Sequence, residues 1–209
     1  MARNPEPVIR DAVAPDVAAI CRFGEAHIQS HYAPLIGDGP ADQQVRRWWN
    51  ETYIAAGVAA GQVVVAEDGG ELVGVAQRGR NGADHVIYKL YVHPDHRGRG
   101  IGPLLIAGLV RQLPPGTERV FIEQFAGNAR AGAFYEREGF TVDRIEPGPT
   151  DALAVVWRVQ ELGPEALGHR DPALVDEPPP GRSPANEPHR GSEDSRHGGE
   201  RGDAEPALE

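Results

Sequence analysis

Residues Val92 to Gly102 read Val-His-Pro-Asp-His-Arg-Gly-Arg-Gly-Ile-Gly, and no other stretch restricts the fold as strongly. An apolar run with strand character, about His85 to Val92, precedes it, and a helical pattern from Gly100 to Leu113 follows. Glycines let successive backbone N–H groups converge. The helix behind them adds its unpaired N-terminal donors and the positive end of its dipole. Such a turn suits a phosphate or pyrophosphate better than a plain reversal of the chain, and Arg97 and Arg99 add charge, of which only one need face the ligand. Two familiar glycine motifs do not fit. A P-loop would end in Gly-Lys-Ser/Thr, and GxGxxG would need glycine where Pro103 or Leu105 stands.

Around this turn the periodicity alternates between two and 3.6. Strands are expected at Val8–Ala12, Gln62–Glu67, Glu71–Gln77, Arg119–Phe125, Phe140–Ile145 and Ala152–Val159, in addition to the one before the turn. Asp68-Gly69-Gly70 marks a hairpin. Helices are expected after Pro15, over Ala41–Ala56, over Gly100–Leu113 and over Asn128–Glu138, the last closed by Gly139. The order predicts a mixed α/β sheet covered by helices.

A second constellation lies downstream: Asn128-Ala129-Arg130-Ala131-Gly132-Ala133-Phe134-Tyr135-Glu136-Arg137-Glu138-Gly139-Phe140. Asn128 is well placed as an N-cap. Together the two segments resemble motifs of the GNAT superfamily of N-acetyltransferases. There, Arg/Gln-x-x-Gly-x-Gly/Ala after a central strand holds the acetyl-CoA pyrophosphate, matched by Arg97, Gly100 and Gly102, and Asn-x-x-Ala-x-x-Phe-Tyr-Glu-x-x-Gly-Phe is a frequent later signature. The resemblance spans about Val8 to Val159. It implies a mostly antiparallel central sheet flanked by helices, and acetyl-CoA as co-substrate. It also implies that backbone groups at Tyr91 and Val92 pair with the pantetheine arm and that the amides of Gly98, Arg99, Gly100, Ile101 and Gly102 take the pyrophosphate. Asn128 and Phe134 would contact the cofactor from the other side. Pro103 departs from the pattern, since it favours a helix start but removes a donor, and is left out of the phosphate set.

Acetyl transfer to an amine needs a neutral nucleophile, and a lysine-type amine with a pKa of about 10.4 is protonated at neutral pH. The leaving thiolate needs a proton as well, for which a phenol is a suitable acid. Tyr135 matches the family position for that acid. On the preceding strand, alternation puts Glu123 between Phe121 and Phe125 on one face, where desolvation would push its carboxyl toward a useful base. Its spacing from Asn128 and Tyr135 resembles the base of ribosomal-protein N-terminal acetyltransferases; an exposed or ion-paired glutamate is the alternative. Trp48 and Trp49 lie about 100° apart on the expected second helix, which pairs Trp49 with Tyr53 at i+4; the resemblance implies that this helix borders the acceptor site, where one of the two rings would line it. Tyr88 and Lys89 alternate on the central strand, and either could reach the acceptor side, the sequence leaving open which. His27 and His31 have i, i+4 spacing but no third ligand, so no metal is expected.

These residues lead to an acetyl-CoA-dependent N-acetyltransferase acting on a primary amine of a small molecule or peptide by direct attack in a ternary complex. A noncatalytic acyl-CoA-binding domain is the alternative. Charge separates the chain into two regions: residues 163–209 carry 11 acidic and 5 basic residues, no aromatic and 8 of the 19 prolines, whereas residues 1–162 carry 20 acidic and 16 basic. The first region is expected as the folded domain and the second as a disordered acidic tail. The net charge of -10 disfavours nucleic acid as a partner. No apolar run is long enough to span a membrane, no signal-peptide core is evident, and the lone Cys21 cannot form an internal disulfide, so a cytoplasmic setting is expected. The acceptor and the oligomeric state are left open by the sequence.

Overall fold

The computed structural model describes residues 6–163; the tail expected from residue 163 onward lies, but for Gly163, outside the described residues. Seven strands form one sheet in the order β1-β2-β3-β4-β5-β7-β6. The strands are β1 (Val8–Asp11), β2 (Val63–Asp68), β3 (Glu71–Asn81), β4 (Asp84–Val92), β5 (Arg119–Phe125), β6 (Thr141–Glu146) and β7 (Val155–Glu161). All neighbours are antiparallel except β4 and β5. This is the mixed, mostly antiparallel sheet flanked by helices that the sequence predicts.

Period-two burial sorts the side chains onto two faces. One face carries Val63, Val65, Val73 and Val75 and is covered by α1 (Val17–Ile36), α2 (Asp38–Trp48) and α3 (Glu51–Ala59). The other carries Val64, Ala66, Gly74 and Ala76 and is covered by α4 (Ile101–Arg111). There Gly108 lets α4 approach closely, since a Cβ on it would lie 3.2 Å from Ile9 and 3.4 Å from Val64. The helix α5 (Ala129–Arg137) packs on the same side over β5 and β7, with Gly132 set against the Gln124 and Arg158 side chains.

The single helix expected over Ala41–Ala56 is two. The chain breaks at Trp49 because Asn50 takes extended backbone angles and caps α3, its Oδ1 accepting from the Tyr53 N–H at 2.9 Å while its Nδ2 donates to the Arg46 and Arg47 carbonyls. The i, i+4 pairing of Trp49 with Tyr53 therefore does not hold. It is Trp48 that meets Tyr53, at 5.0 Å between ring centroids, while Trp49 is buried against Tyr91 at 5.2 Å. At the far edge, Arg10 on β1 joins Asp16 (2.7 Å) before α1 to Glu67 (2.6 Å) on β2, fastening the entry of the first helix to the sheet. No helix among the described residues is long and apolar enough to cross a membrane.

Candidate active site

The parallel strands β4 and β5 pair only at Val86↔Phe121 and Ile87↔Ile122, then diverge. β5 stays with β7 along its whole length and β4 with β3, so the two halves of the sheet open like a V. From Tyr88 to Val92, β4 makes no strand pair with β5.

The glycine-rich turn stands at the mouth of this V. Gly98 and Gly100 have φ of 74° and 78°, the left-handed region that glycine enters without a Cβ penalty, and Gly100 is the N-cap of α4. The Arg97 side chain folds back so that Nε donates to the Val92 carbonyl at 3.1 Å. A cavity of about 160 Å³ is lined by Val92, Arg97, Gly98, Gly100, Ile101 and Gly102, and also by Phe134 and Arg137 of α5 and by Glu138 just after it. Its N–H groups, two guanidinium groups and helix N-terminus favour an anion. The Arg99 side chain turns elsewhere, to Asp68 at 2.7 Å, so Arg97 is the arginine of the pair that faces the cavity. Tyr91 donates its hydroxyl to that of Tyr32 at 2.8 Å.

Asn128 caps α5 as expected, its Oδ1 accepting from the Ala131 N–H at 3.2 Å. Its Nδ2 is buried and has no acceptor among the described residues. Consecutive residues of α5 diverge in environment: Phe134 lines the cavity, whereas Tyr135 is fully buried, its ring 5.4 Å from Phe134 and 5.9 Å from Phe140.

The crotch of the V is built from the first residues past the last strand pair, Tyr88 and Glu123. Glu123 is 3% exposed and, with Phe121 and Phe125, lies on the face covered by α1–α3. Its influence reaches Tyr88, whose hydroxyl pKa is pushed up to about 12 by burial and then by Glu123 and Tyr53. The alternation expected of Tyr88 and Lys89 fails, because a β-bulge between Gln77 and Arg78 leaves Tyr88 as an extra residue on β4. Both side chains then face α2 and α3: Tyr53 neighbours Tyr88, and Lys89 Nζ lies 4.5 Å from the Tyr53 ring centroid. A lysine inside an otherwise apolar strand was the signal for this, yet no sequence pattern locates the bulge. On α1, His31 borders the same opening, its pKa pushed down to about 4 by burial and by Arg97 and Arg130, so it is neutral at physiological pH. His27 stacks edge-on to His93 at 4.6 Å instead of sharing a site with His31.

Residues 59–142, which hold the sheet centre, the turn and α5, match the family model described as the acetyltransferase (GNAT) domain. The likeness to that domain covers these residues, less than half of the 209-residue chain. It is similar to the L-amino acid N-acyltransferase MnaT of Escherichia coli, 29% identical over 145 residues that span 66% of this chain and 82% of that protein. An acetyltransferase of Pectobacterium atrosepticum is 39% identical over 41% of this chain and 62% of its own length. Among solved structures, PaiA N-acetyltransferase from Thermoplasma acidophilum in complex with coenzyme A superposes with a TM-score of 0.64 at 14% identity, covering 76% of this chain and all of that one. The yncA structure from Salmonella typhimurium with its cofactor acetyl-CoA gives 0.56 at 24% identity over 76% and 95%. Coenzyme A and acetyl-CoA are the molecules bound in those two structures; in this chain the anion-favouring turn and the buried Asn128 Nδ2 suit a ligand with phosphate and amide groups.

Proposed function

We propose that this protein moves the acetyl group of acetyl-CoA to a primary amine of a small molecule or peptide, by direct attack within a ternary complex. The observation that carries this reading is the V between β4 and β5, whose mouth holds the anion-favouring turn and whose crotch holds ionisable side chains on the helix-covered face. When bound, the thioester supplies the electrophilic carbonyl. The chain's own residues do the rest. Arg97 and the amides from Gly98 to Gly102 hold the pyrophosphate, with the backbone of Tyr91 and Val92 beside the pantetheine arm and Asn128 and Phe134 on its far side. Glu123 takes a proton from the acceptor ammonium, directly or through water. The free amine then attacks, and Tyr135 gives its phenolic proton to the departing sulfur. The buried position of Tyr135 keeps water from competing for that proton. Support for a small acceptor comes from MnaT, an L-amino acid N-acyltransferase by name.

Release of free CoA thiol from acetyl-CoA, measured against a panel of amino acids, alkylamines and peptide N-termini, tests the reading. Amine-dependent release with an N-acetylated product is the expected result. Tight binding of acetyl-CoA without transfer to any amine would point instead to a noncatalytic acyl-CoA-binding domain.

A further inference from the structure

Lys89 is the one lysine of the chain, and it lies fully buried on the face that the acceptor must approach. Its Nζ sits 4.5 Å from the ring centroid of Tyr53, 5.4 Å from Trp49 and 5.9 Å from Trp48, distances at which aromatic faces stabilise an ammonium. Burying a lysine costs free energy that an apolar residue at this β4 position would not incur, so packing alone does not account for it. Two of the three rings, Trp48 and Tyr53, are only half-buried, and they hang from the α2–α3 junction. The exposed Arg47 guanidinium also stands 5.0 Å from the Trp48 ring centroid, so two cationic side chains meet one indole. Two cationic side chains thus gather at one ring in a protein whose net charge is -10. Deeper in, Glu123 on β5 shares the face with Lys89, which puts an anionic and a cationic group on neighbouring strands beside the crotch.

We propose that Lys89, assisted by Arg47 beside Trp48, is a specificity-determining residue that selects acceptors bearing a carboxylate next to the amine, the α-amino-acid class. The inference rests on the acetyl-transfer reading above and deepens it. A zwitterion complements the pair of strands: its ammonium goes to Glu123, where the proton is lost, and its carboxylate toward the caged ammonium after Trp48 or Tyr53 swings aside. A cationic diamine or a lysine-rich peptide meets a like charge instead.

The test is kcat/KM for L-leucine against L-leucinamide, a pair differing in the carboxylate, in the wild type and in Lys89→Met, Lys89→Arg and Arg47→Gln. The greater ease with which the amide's amine loses its proton cancels when enzymes are compared. The carboxylate-to-amide ratio should fall about tenfold or more in Lys89→Met, the scale of one hydrogen bond to a charged group. It should be largely kept in Lys89→Arg and drop about two- to threefold in Arg47→Gln, whose exposed site leaves folding intact, an effect that added salt should erase. Should Lys89→Met fail to fold, the Arg47→Gln ratio and its salt dependence decide. Acetylation of both compounds at a ratio indifferent to these variants would overturn the inference alone. Acetylation of no amine by a protein that binds acetyl-CoA would remove the proposed function and this inference with it.

Discussion

Tyr135 and Phe134 are neighbours in sequence with separate tasks, one ring closed into the core and the other lining the cavity. Tyr135→Phe keeps that packing and deletes only the hydroxyl. Turnover should fall by ~10²- to 10⁴-fold while acetyl-CoA affinity by calorimetry stays constant, the signature of an interaction made only in the transition state. Glu123→Gln should change a different observable, the acidic limb of the pH–rate profile, because that limb reports ionisation of the base. An unaltered limb would hand the proton to another group. Gly100 illustrates why the backbone matters separately from space: a Cβ there would meet nothing within 4 Å, yet φ is 78°. Gly100→Val should therefore weaken acetyl-CoA binding severely by driving the turn out of the left-handed region, whereas Gly100→Asn, which tolerates that region, should lose far less.

At the scale of elements, α5 couples stability to binding through its cap. Asn128→Ala removes the acceptor of the Ala131 N–H and should cost about 1 kcal/mol, a fall of about 2–4 °C in melting temperature for a domain of this size. Asn128→Asp keeps the capping oxygen and adds a charge suited to a helix N-terminus, but it deletes the orphaned Nδ2 donor. It should melt at or above the wild-type temperature and bind acetyl-CoA more weakly. Parallel loss of both properties in the Asp variant would mean that Nδ2 plays no part in binding.

Across the whole molecule, acid should unfold the protein in two stages with identifiable groups. His31 has its folded pKa at about 4, below the ordinary histidine value near 6.5, because protonation would bury a charge facing Arg97 and Arg130. Its unfolded form binds the proton first, so stability is full above about pH 6.5 and declines as pH falls toward 4. His27 and His85, also lowered chiefly by burial, add to the same window. Asp16 is held below the usual carboxylate range by the Arg10 guanidinium, and its contribution is present above the unfolded carboxyl pKa and lost at still lower pH. Melting temperature against pH should accordingly flatten between pH 6.5 and 4.5 in His31→Gln, whereas Asp16→Asn should melt below the wild type above about pH 4 and converge with it at lower pH. Leu162 packs on the core and its N–H donates to the Glu118 carbonyl at 2.7 Å, so truncation before that residue should lower the melting temperature.

The strands, the order of elements, the phosphate-seeking turn and the cap at Asn128 were legible in sequence because each rests on local chemistry: alternation, glycine at a left-handed angle, a side chain reaching two or three residues ahead. The turn could be read without knowing its surroundings, since its donors belong to its own backbone. The sheet's V could not. It depends on β4 and β5 pairing twice and parting, a consequence of which partner each strand keeps along its other edge. Nor could Lys89's placement be read, because one extra residue at Tyr88 reverses the facing of the residues after it and nothing local marks the bulge. The break between Trp48 and Asn50, which sets one indole over Lys89 and the other against Tyr91, was a contest between helix continuation and a side-chain cap, decided once both rings had tertiary neighbours to pack against.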